Sequence, residues 1–189
     1  MASRSDNTSK WKQLSEIDYF GLFIKNWLAF NSWYRGHHPD LKTDRDCIDA
    51  IKDTSDSRNS SYILFKKIFE GNDRESVSFR DNLDGLVTSL NRVTLSSDKY
   101  TGAISFSNAL IDKESDDYQN LLKLQNQKNK IKLGTIYIID DVDVLYKGTI
   151  ELVYQVRCLL FHGELEPTDE NHQVVKYCYL VVNSMMKNL

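Results

Sequence analysis

Two residues that could act on a phosphate lie five positions apart in the stretch VYQVRCLLFHGELEP, residues 153–167. Arg157 carries a permanent cation whose planar fork fits phosphate oxygens, and His162 is the type of side chain that exchanges protons near neutral pH. The run around them is otherwise apolar and stops at Gly163, which favours a helix that ends there. The pair therefore suggests anion binding, and acid–base chemistry is the sharper hypothesis.

The surroundings of Arg157 predict that it has a partner, because an uncompensated guanidinium among apolar side chains would be costly to bury. In the simplest alternative, Arg157 reaches solvent or a carboxylate such as Glu151. His162 is then a polar residue at the helix C-terminus, where the helix dipole favours its protonated form. Five residues correspond to about 140° around a straight helix, so the two side chains do not share one stripe. If the helix frays at Gly163, His162 can swing over its end and converge with Arg157 on a ligand in a cleft.

Composition predicts one all-α domain over residues 1–189. The chain is 41% hydrophobic and 27% charged, and its two prolines and eight glycines leave long stretches free to form helices. A formal net charge of −3 argues against a general electrostatic coat for nucleic acid, so any such contact must use a local patch. Three cysteines without C-x-x-C spacing predict reduced, mostly buried thiols rather than a disulfide framework or a zinc site.

The polar N-terminus, MASRSDNTSK, lacks the apolar core of a signal peptide, and we expect residues 1–10 to be flexible. No apolar run approaches the roughly 18 residues that suggest a membrane span. We therefore expect a cytoplasmic protein without membrane contact.

Hydrophobic spacing predicts an aromatic-rich first helix over residues 11–35. Its apolar stripe consists of Phe20, Phe23, Trp27, Phe30 and Tyr34. Because aromatic stripes at helical spacing usually pack inward, Trp27 and Tyr34 are expected in the core rather than as base-stacking residues. Gly36 is expected to form a left-handed C-cap before Pro39.

Further helices are predicted from the same periodicity and from capping residues. They span residues 43–53, 61–71, 74–93, 141–162 and 169–187. Thr43 and Thr168 are expected caps, and either Asp140 or Asp141 caps the helix that carries Arg157. The last helix is so apolar that it should have neighbours on more than one side.

The middle of the chain, residues 95–134, is expected to be an irregular insertion with one candidate helix over 115–128. The TIYII segment at 135–139 has β-branched and aromatic character, which fits either a strand or an extended lead-in to the next helix.

Two segments resemble the HEPN superfamily (higher eukaryotes and prokaryotes nucleotide-binding domains). YQVRCLLFHG, residues 154–163, is similar to its R-x4-6-H signature. NWLAFNSWYRG, residues 26–36, is similar to the W-x-A-F-N-x-x-Y segment that many prokaryotic members carry in their first helix. The two matches fall in the first and penultimate predicted helices. The resemblance implies a HEPN-like antiparallel helical bundle with an irregular insertion in the middle of the chain.

The resemblance also implies a metal-independent endoribonuclease that works as a homodimer, with two R-x4-6-H motifs facing across a shared cleft, in a toxin or an antiviral defence system. Carried over, Arg157 and His162 are the catalytic pair, and Asn31, Cys158 and Tyr154 are candidates for orienting the site or binding RNA. For Asn31, a structural bond to backbone and a role in holding Arg157 or His162 are equally open. No metal or other cofactor is implied. The implied partners are RNA, a second copy of the chain, and an antitoxin or defence component.

This sequence departs from the family at two positions. Cys158 stands where catalytic members often carry a small polar residue such as Asn. Glu164 replaces the tyrosine that is adenylylated in some toxins, so that mode of silencing is not expected. Cys158 and the acidic net charge leave an alternative open: a non-catalytic module that binds nucleotide, RNA or a protein partner through Arg157. A purely structural helical bundle is the third and weaker alternative.

Overall fold

Helices form most of the chain that the computed structural model describes, which comprises residues 17–55, 57–96, 103–110, 126–187 and 189. The helices are α1 (Tyr19–His37), α2 (Asp44–Lys52), α3 (Ser60–Glu70), α4 (Arg74–Leu90), α5 (Phe106–Leu110), α6 (Val142–Phe161) and α7 (Asp169–Met186). Two short strands, β1 (Lys130–Leu133) and β2 (Ile136–Ile139), precede α6. The prediction of a mostly helical fold is confirmed.

Six of these helices begin at a polar side chain that accepts hydrogen bonds from the first free backbone N–H groups. The N-cap residues are Asp18, Thr43, Asn59, Asp73, Asp141 and Thr168. The predicted caps Thr43 and Thr168 are confirmed. Of the two candidates before α6, Asp141 is the cap, since its carboxylate accepts from the N–H of Asp143 at 2.9 Å.

The TIYII segment contributes a strand. β1 and β2 pair antiparallel, with Leu133 opposite Ile136. Between them Gly134 adopts a φ of +55°, a value that favours glycine, and Asp84 on α4 accepts its N–H at 2.6 Å. The hairpin is thereby fixed to α4, and the ambiguity between strand and extended lead-in is settled in favour of a strand.

The other predictions for the middle of the chain and the N-terminus fall partly or wholly outside the described residues. Residues 1–10 and 115–125 are among those not described, so the flexible start and most of the candidate helix at 115–128 stay predictions. Residues 126–128 form a turn and a bend instead of helix. Within the predicted insertion, the described residues include α5 and β1.

The aromatic stripe of α1 forms the centre of the core. Phe23, Trp27, Phe30 and Tyr34 are each no more than 1% exposed. Their rings meet edge to face, with ring centroids 5.5 Å apart for Trp27 and Phe30 and 5.4 Å apart for Phe30 and Tyr34. The prediction that Trp27 and Tyr34 are core residues is therefore confirmed.

The end of α1 differs from the prediction. Gly36 is a helical residue, and His38 is the C-cap with a φ of −128°. The His38 N–H still bonds to the carbonyl of Tyr34 at 3.0 Å, so the helix continues past Gly36. The helix ends at His37, before the C-cap His38, because Pro39 disfavours helical geometry in the residue before it and cannot donate the next backbone hydrogen bond. The expected left-handed cap at Gly36 is wrong, whereas the stop before Pro39 is confirmed.

Two helix pairs bring the Arg157 region together. α1 and α7 run parallel, because Tyr19 N–H bonds to His172 Nε2 at 3.0 Å and Asn26 bonds seven residues later to the carbonyl of Tyr179 at 3.4 Å. α2 and α6 run antiparallel, since the start of α2 meets the end of α6. α1 and α2 therefore both lie beside the carboxyl-terminal half of α6.

α7 packs against both α1 and α4, which confirms that it has neighbours on more than one side. It approaches α4 closely at Gly85, where a Cβ atom would overlap the ring carbons of Tyr177. Although α7 is apolar, no helix in the described part of the chain combines the length and hydropathy needed to cross a membrane.

Gly85→Ala should therefore destabilise the fold by about 1–3 kcal/mol, because the added methyl group forces Tyr177 away from α4. The matched control is Gly36→Ala, also in a helix, where a Cβ would meet nothing within 4 Å. That change should stabilise the protein by up to about 1 kcal/mol. Urea unfolding of both variants measures the difference, and equal stability of the two would contradict the close packing of α4 and α7.

Candidate functional site around Arg157

Arg157 forms an ion pair that links α6 to α2. Its Nη2 atom lies 3.0 Å from Oδ2 of Asp44, and the exposed fractions of the two side chains are 16% and 21%. The anionic partner that the apolar surroundings of Arg157 require is thus present. It is Asp44, and not Glu151 as the simplest alternative suggested.

Asp44 is held by two further side chains from α1. Arg35 contacts its Oδ1 through Nη2 at 2.5 Å and through Nε at 3.2 Å. Asn31 donates to the same oxygen from Nδ2 at 3.1 Å. One carboxylate therefore lies between two guanidinium groups, and the three charges sum to +1.

The ionised state of Asp44 is favoured by these contacts. Burial alone would raise the pKa of Asp44, but the hydrogen bonds from Arg35 and Asn31 and the charge of Arg157 together hold that pKa below its usual value. The carboxylate is thus charged at neutral pH and remains an anchor for both arginines.

Asn31 occupies a connecting position. Besides Asp44, its Nδ2 atom donates to the hydroxyl of Tyr34, and burial raises the pKa of that hydroxyl. The sequence left two roles open for Asn31, a structural bond to backbone and a role in holding Arg157 or His162. Its contacts with Asp44 and Tyr34 favour a role in holding Arg157, exerted through Asp44.

Aromatic rings surround the guanidinium of Arg157. Its Cζ atom lies 4.6 Å from the ring centroid of Phe161, 5.7 Å from that of Trp27 and 5.9 Å from that of Tyr154. Such faces attract cations but bind them without a fixed hydrogen-bond direction. Within the described residues, Arg157 Nε is buried without a hydrogen-bond partner. The direction of the guanidinium is consequently set mainly by Asp44.

The two other candidates on α6, Tyr154 and Cys158, are buried beside Arg157. The Tyr154 ring also carries the guanidinium of Arg45 at 4.4 Å, so little of it is free for a nucleobase. Burial, followed by the neighbouring Cys158, raises the pKa of Tyr154 to about 12. Cys158 Sγ lies 3.8 Å from Arg157 Nη1, which is a weak contact. All three cysteines of the chain are buried and free, as predicted.

His162 is exposed at the end of α6, and the helix end is locked rather than frayed. Gly163 adopts a φ of +71°. Its N–H bonds to the carbonyl of Leu160 at 3.2 Å, and the N–H of Glu164 bonds to that of Leu159 at 2.9 Å, which is the Schellman pattern. The expectation that fraying lets His162 swing over the helix end is therefore wrong. Among the described residues, no side-chain hydrogen bond joins His162 to the Arg157 cluster.

A second ion cluster ties α2 to α6 two turns earlier. Glu151 accepts from Arg45 at 2.7 and 3.0 Å and from Lys52 at 2.8 Å. Gln155 donates to the same carboxylate at 3.0 Å. Burial would raise the pKa of Glu151, but the bonds from Arg45 and Lys52 outweigh it and hold the pKa at about 2. This cluster is a second contact between α2 and α6, besides that of Asp44 with Arg157.

A cavity of about 610 Å³ lies elsewhere, between α4, β1 and α7. None of its lining residues belongs to the Arg157 cluster. Its lining includes three basic side chains, Arg80, Arg92 and Lys132, and three acidic ones, Asp81, Asp84 and Glu170. Because these charges balance, the cavity offers no net positive field for a polyanion, and the Arg157 region is the better anion site.

Asp44 and Arg35 were not identified from the sequence as site residues. A weak signal existed for Arg35, which follows Asn31 by four residues and so shares its face of α1. For Asp44 there was only its place directly after the cap Thr43. Its contact with Arg157 spans 113 positions, which no local spacing reveals.

Stability should depend on pH through Glu151. Since its pKa is lowered from 4.5 to about 2, its contribution is fully present above about pH 4.5 and is lost as the pH falls toward 2. We expect Glu151→Gln to be about 3 kcal/mol less stable than the wild type at pH 7. In urea unfolding, the difference in free energy of unfolding between wild type and Glu151→Gln should narrow between pH 5 and pH 2.5. The control Glu164→Gln, at an exposed site, should be as stable as the wild type. A difference for Glu151→Gln that does not change with pH would contradict the pairing of Glu151 with Arg45 and Lys52.

In comparisons with known proteins, no family model, curated protein or solved structure matches this chain. The resemblance to the HEPN superfamily therefore rests on the residues of α1 and α6 alone.

Proposed function

We propose that this protein is a metal-independent endoribonuclease of HEPN type that cleaves RNA at a site shared across a homodimer. One observation carries the proposal. A guanidinium fixed by a carboxylate, Arg157, lies on the same helix end as an exposed histidine, His162, whose backbone is locked in place. Phosphate chemistry requires a positioned cation and an accessible acid–base group, and this helix end carries one of each.

The proposed reaction is attack of a ribose 2′-hydroxyl on the adjacent phosphorus. A base removes the 2′-hydroxyl proton as the 2′-O–P bond forms, and an acid gives a proton to the 5′-oxygen as its bond to phosphorus breaks. Arg157 stabilises the negative charge that builds up on the phosphorane oxygens. The products are a 2′,3′-cyclic phosphate and a 5′-hydroxyl.

The need for both a base and an acid favours a homodimer. His162 is exposed at the C-cap of the helix that carries Arg157, whereas His37 contacts the carbonyl of Trp33 and His172 accepts from the backbone of Tyr19. The helix that carries Arg157, together with its C-cap, therefore offers a single histidine per protomer. A second copy supplies the second histidine and a second arginine.

The charge balance also supports RNA as substrate. Two guanidinium groups around Asp44 leave a local excess of positive charge on a chain whose net charge is −3. A local patch of this kind is the form of contact open to an acidic protein. We place the activity in the cytoplasm, in toxin action or antiviral defence, with an antitoxin or another defence component as a further partner.

Cleavage of RNA in the presence of EDTA tests the proposal. His162→Ala should lower the single-turnover rate about 100-fold or more, because loss of general acid–base catalysis has effects of that order. The matched control is His38→Ala, at the end of α1, which should cleave at the wild-type rate. Equal cleavage by wild type and His162→Ala, or cleavage by neither, would defeat the proposal.

The alternative is a non-catalytic module that binds nucleotide, RNA or a protein through Arg157. The burial of Cys158 against Arg157, where catalytic members of the resembling family often carry a small polar residue, favours it. In that case Arg157→Ala should abolish binding of an RNA oligonucleotide in fluorescence polarisation, His162→Ala should retain the wild-type affinity, and no cleavage should occur. Loss of affinity in both variants, together with cleavage by the wild type, would reject it.

A further inference from the structure

Asp44 is the carboxylate that contacts Arg157, and three side chains bind it. It receives hydrogen bonds from Arg35, Asn31 and Arg157 at 2.5–3.2 Å, and about a fifth of its side chain is exposed. Its own position is therefore determined from α1, independently of Arg157. A carboxylate held by these bonds can in turn hold the guanidinium of Arg157 in one direction.

The guanidinium of Arg157 has few other contacts that would fix its direction. The ring faces around it impose no hydrogen-bond direction, the contact with Cys158 Sγ is weak, and its Nε is buried without a partner among the described residues. The bond from Nη2 to Asp44 is the strong directional contact that remains. The Nη1 end of the fork stays free of any strong acceptor in that part of the chain.

A carboxylate next to a phosphate-binding arginine would ordinarily repel the substrate. Arg35 removes this difficulty, because its guanidinium contacts the same Asp44 and is 41% exposed on its side chain. The group of two arginines and one aspartate keeps a charge of +1. Asp44 can therefore orient Arg157 while the site still attracts phosphate.

We propose that Asp44 is a positioning residue, which directs the guanidinium of Arg157 toward the substrate phosphate, and that Arg35 compensates the charge of Asp44. This inference rests on the proposed ribonuclease function. Asp44 does not touch the reacting atoms, so its removal should act on the rate of the chemical step more than on substrate binding.

Kinetics of Asp44→Asn test this assignment. The variant should lower kcat about 10-fold or more and change KM less than about threefold, since small misplacements of a catalytic group are costly. The matched control, Asp49→Asn, removes the same charge from α2 at a residue paired with Arg45 and Lys52, and should keep wild-type kcat and KM. Asp44→Asn with wild-type or higher kcat overturns the proposal.

A double-mutant cycle separates positioning from general stability. In an Arg157→Lys background, Asp44→Asn should cause no further loss of kcat, because the fork that it orients is already gone. A loss as large as in the wild-type background would show that Asp44 acts on the fold instead. If Asp44→Asn no longer unfolds cooperatively, Asn31→Ala takes its place in the cycle. It removes one bond to Asp44 and should lower kcat in the same direction by a smaller factor.

Side-chain ¹⁵N NMR gives an outcome that does not depend on cleavage. The Arg157 signals, assigned by their loss in Arg157→Lys, should report slow rotation of the guanidinium in wild type and in Asp49→Asn, and fast rotation in Asp44→Asn. Equal rotation in wild type and Asp44→Asn overturns the role of Asp44. Slow rotation released by Asp44→Asn, in a wild-type protein that cleaves no RNA, contradicts the ribonuclease proposal but supports Asp44 as the positioning residue of an anion anchor.

Discussion

The ion pair between Arg157 and Asp44 is the constraint on which the arrangement of three helices depends. A guanidinium on the apolar side of α6 needs an anionic partner, because a partly buried charge left without one is costly. Asp44 meets that need from α2 and is in turn balanced by Arg35 and oriented by Asn31 on α1. One charged residue thereby specifies where α1, α2 and α6 come together.

Helix α1 contributes both to the aromatic core and to the polar cluster around Asp44. Trp27 belongs to the core through Phe23 and Phe30, and the same ring lies against the guanidinium of Arg157. Four residues further along, Asn31 binds Asp44. The segment that resembles a family signature on α1 thus combines core residues with two side chains, Asn31 and Arg35, that bind Asp44.

Sequence periodicity was sufficient for all the described helices except α5, and for three of their six N-caps, because burial of apolar stripes and capping by Thr43, Asp141 and Thr168 are local properties. It also identified Arg157 as a residue that must have a partner. It could not identify Asp44 as that partner, since the contact depends on how α2 packs against α6. The locked end at Gly163 was predicted as a stop, but its rigidity arises from hydrogen bonds that spacing alone does not specify.

A single protomer leaves the proposed chemistry incomplete, because the helix that carries Arg157 offers one histidine, His162, at its capped and exposed end. The most direct test is a crystal structure of the protein with a dinucleotide that lacks the attacking 2′-hydroxyl. We expect a two-fold dimer in which both His162 side chains lie within hydrogen-bond reach, about 3 Å, of oxygens around one scissile phosphate, with Arg157 on its non-bridging oxygens. A monomer, or a dimer with the two histidines on opposite faces, would contradict it.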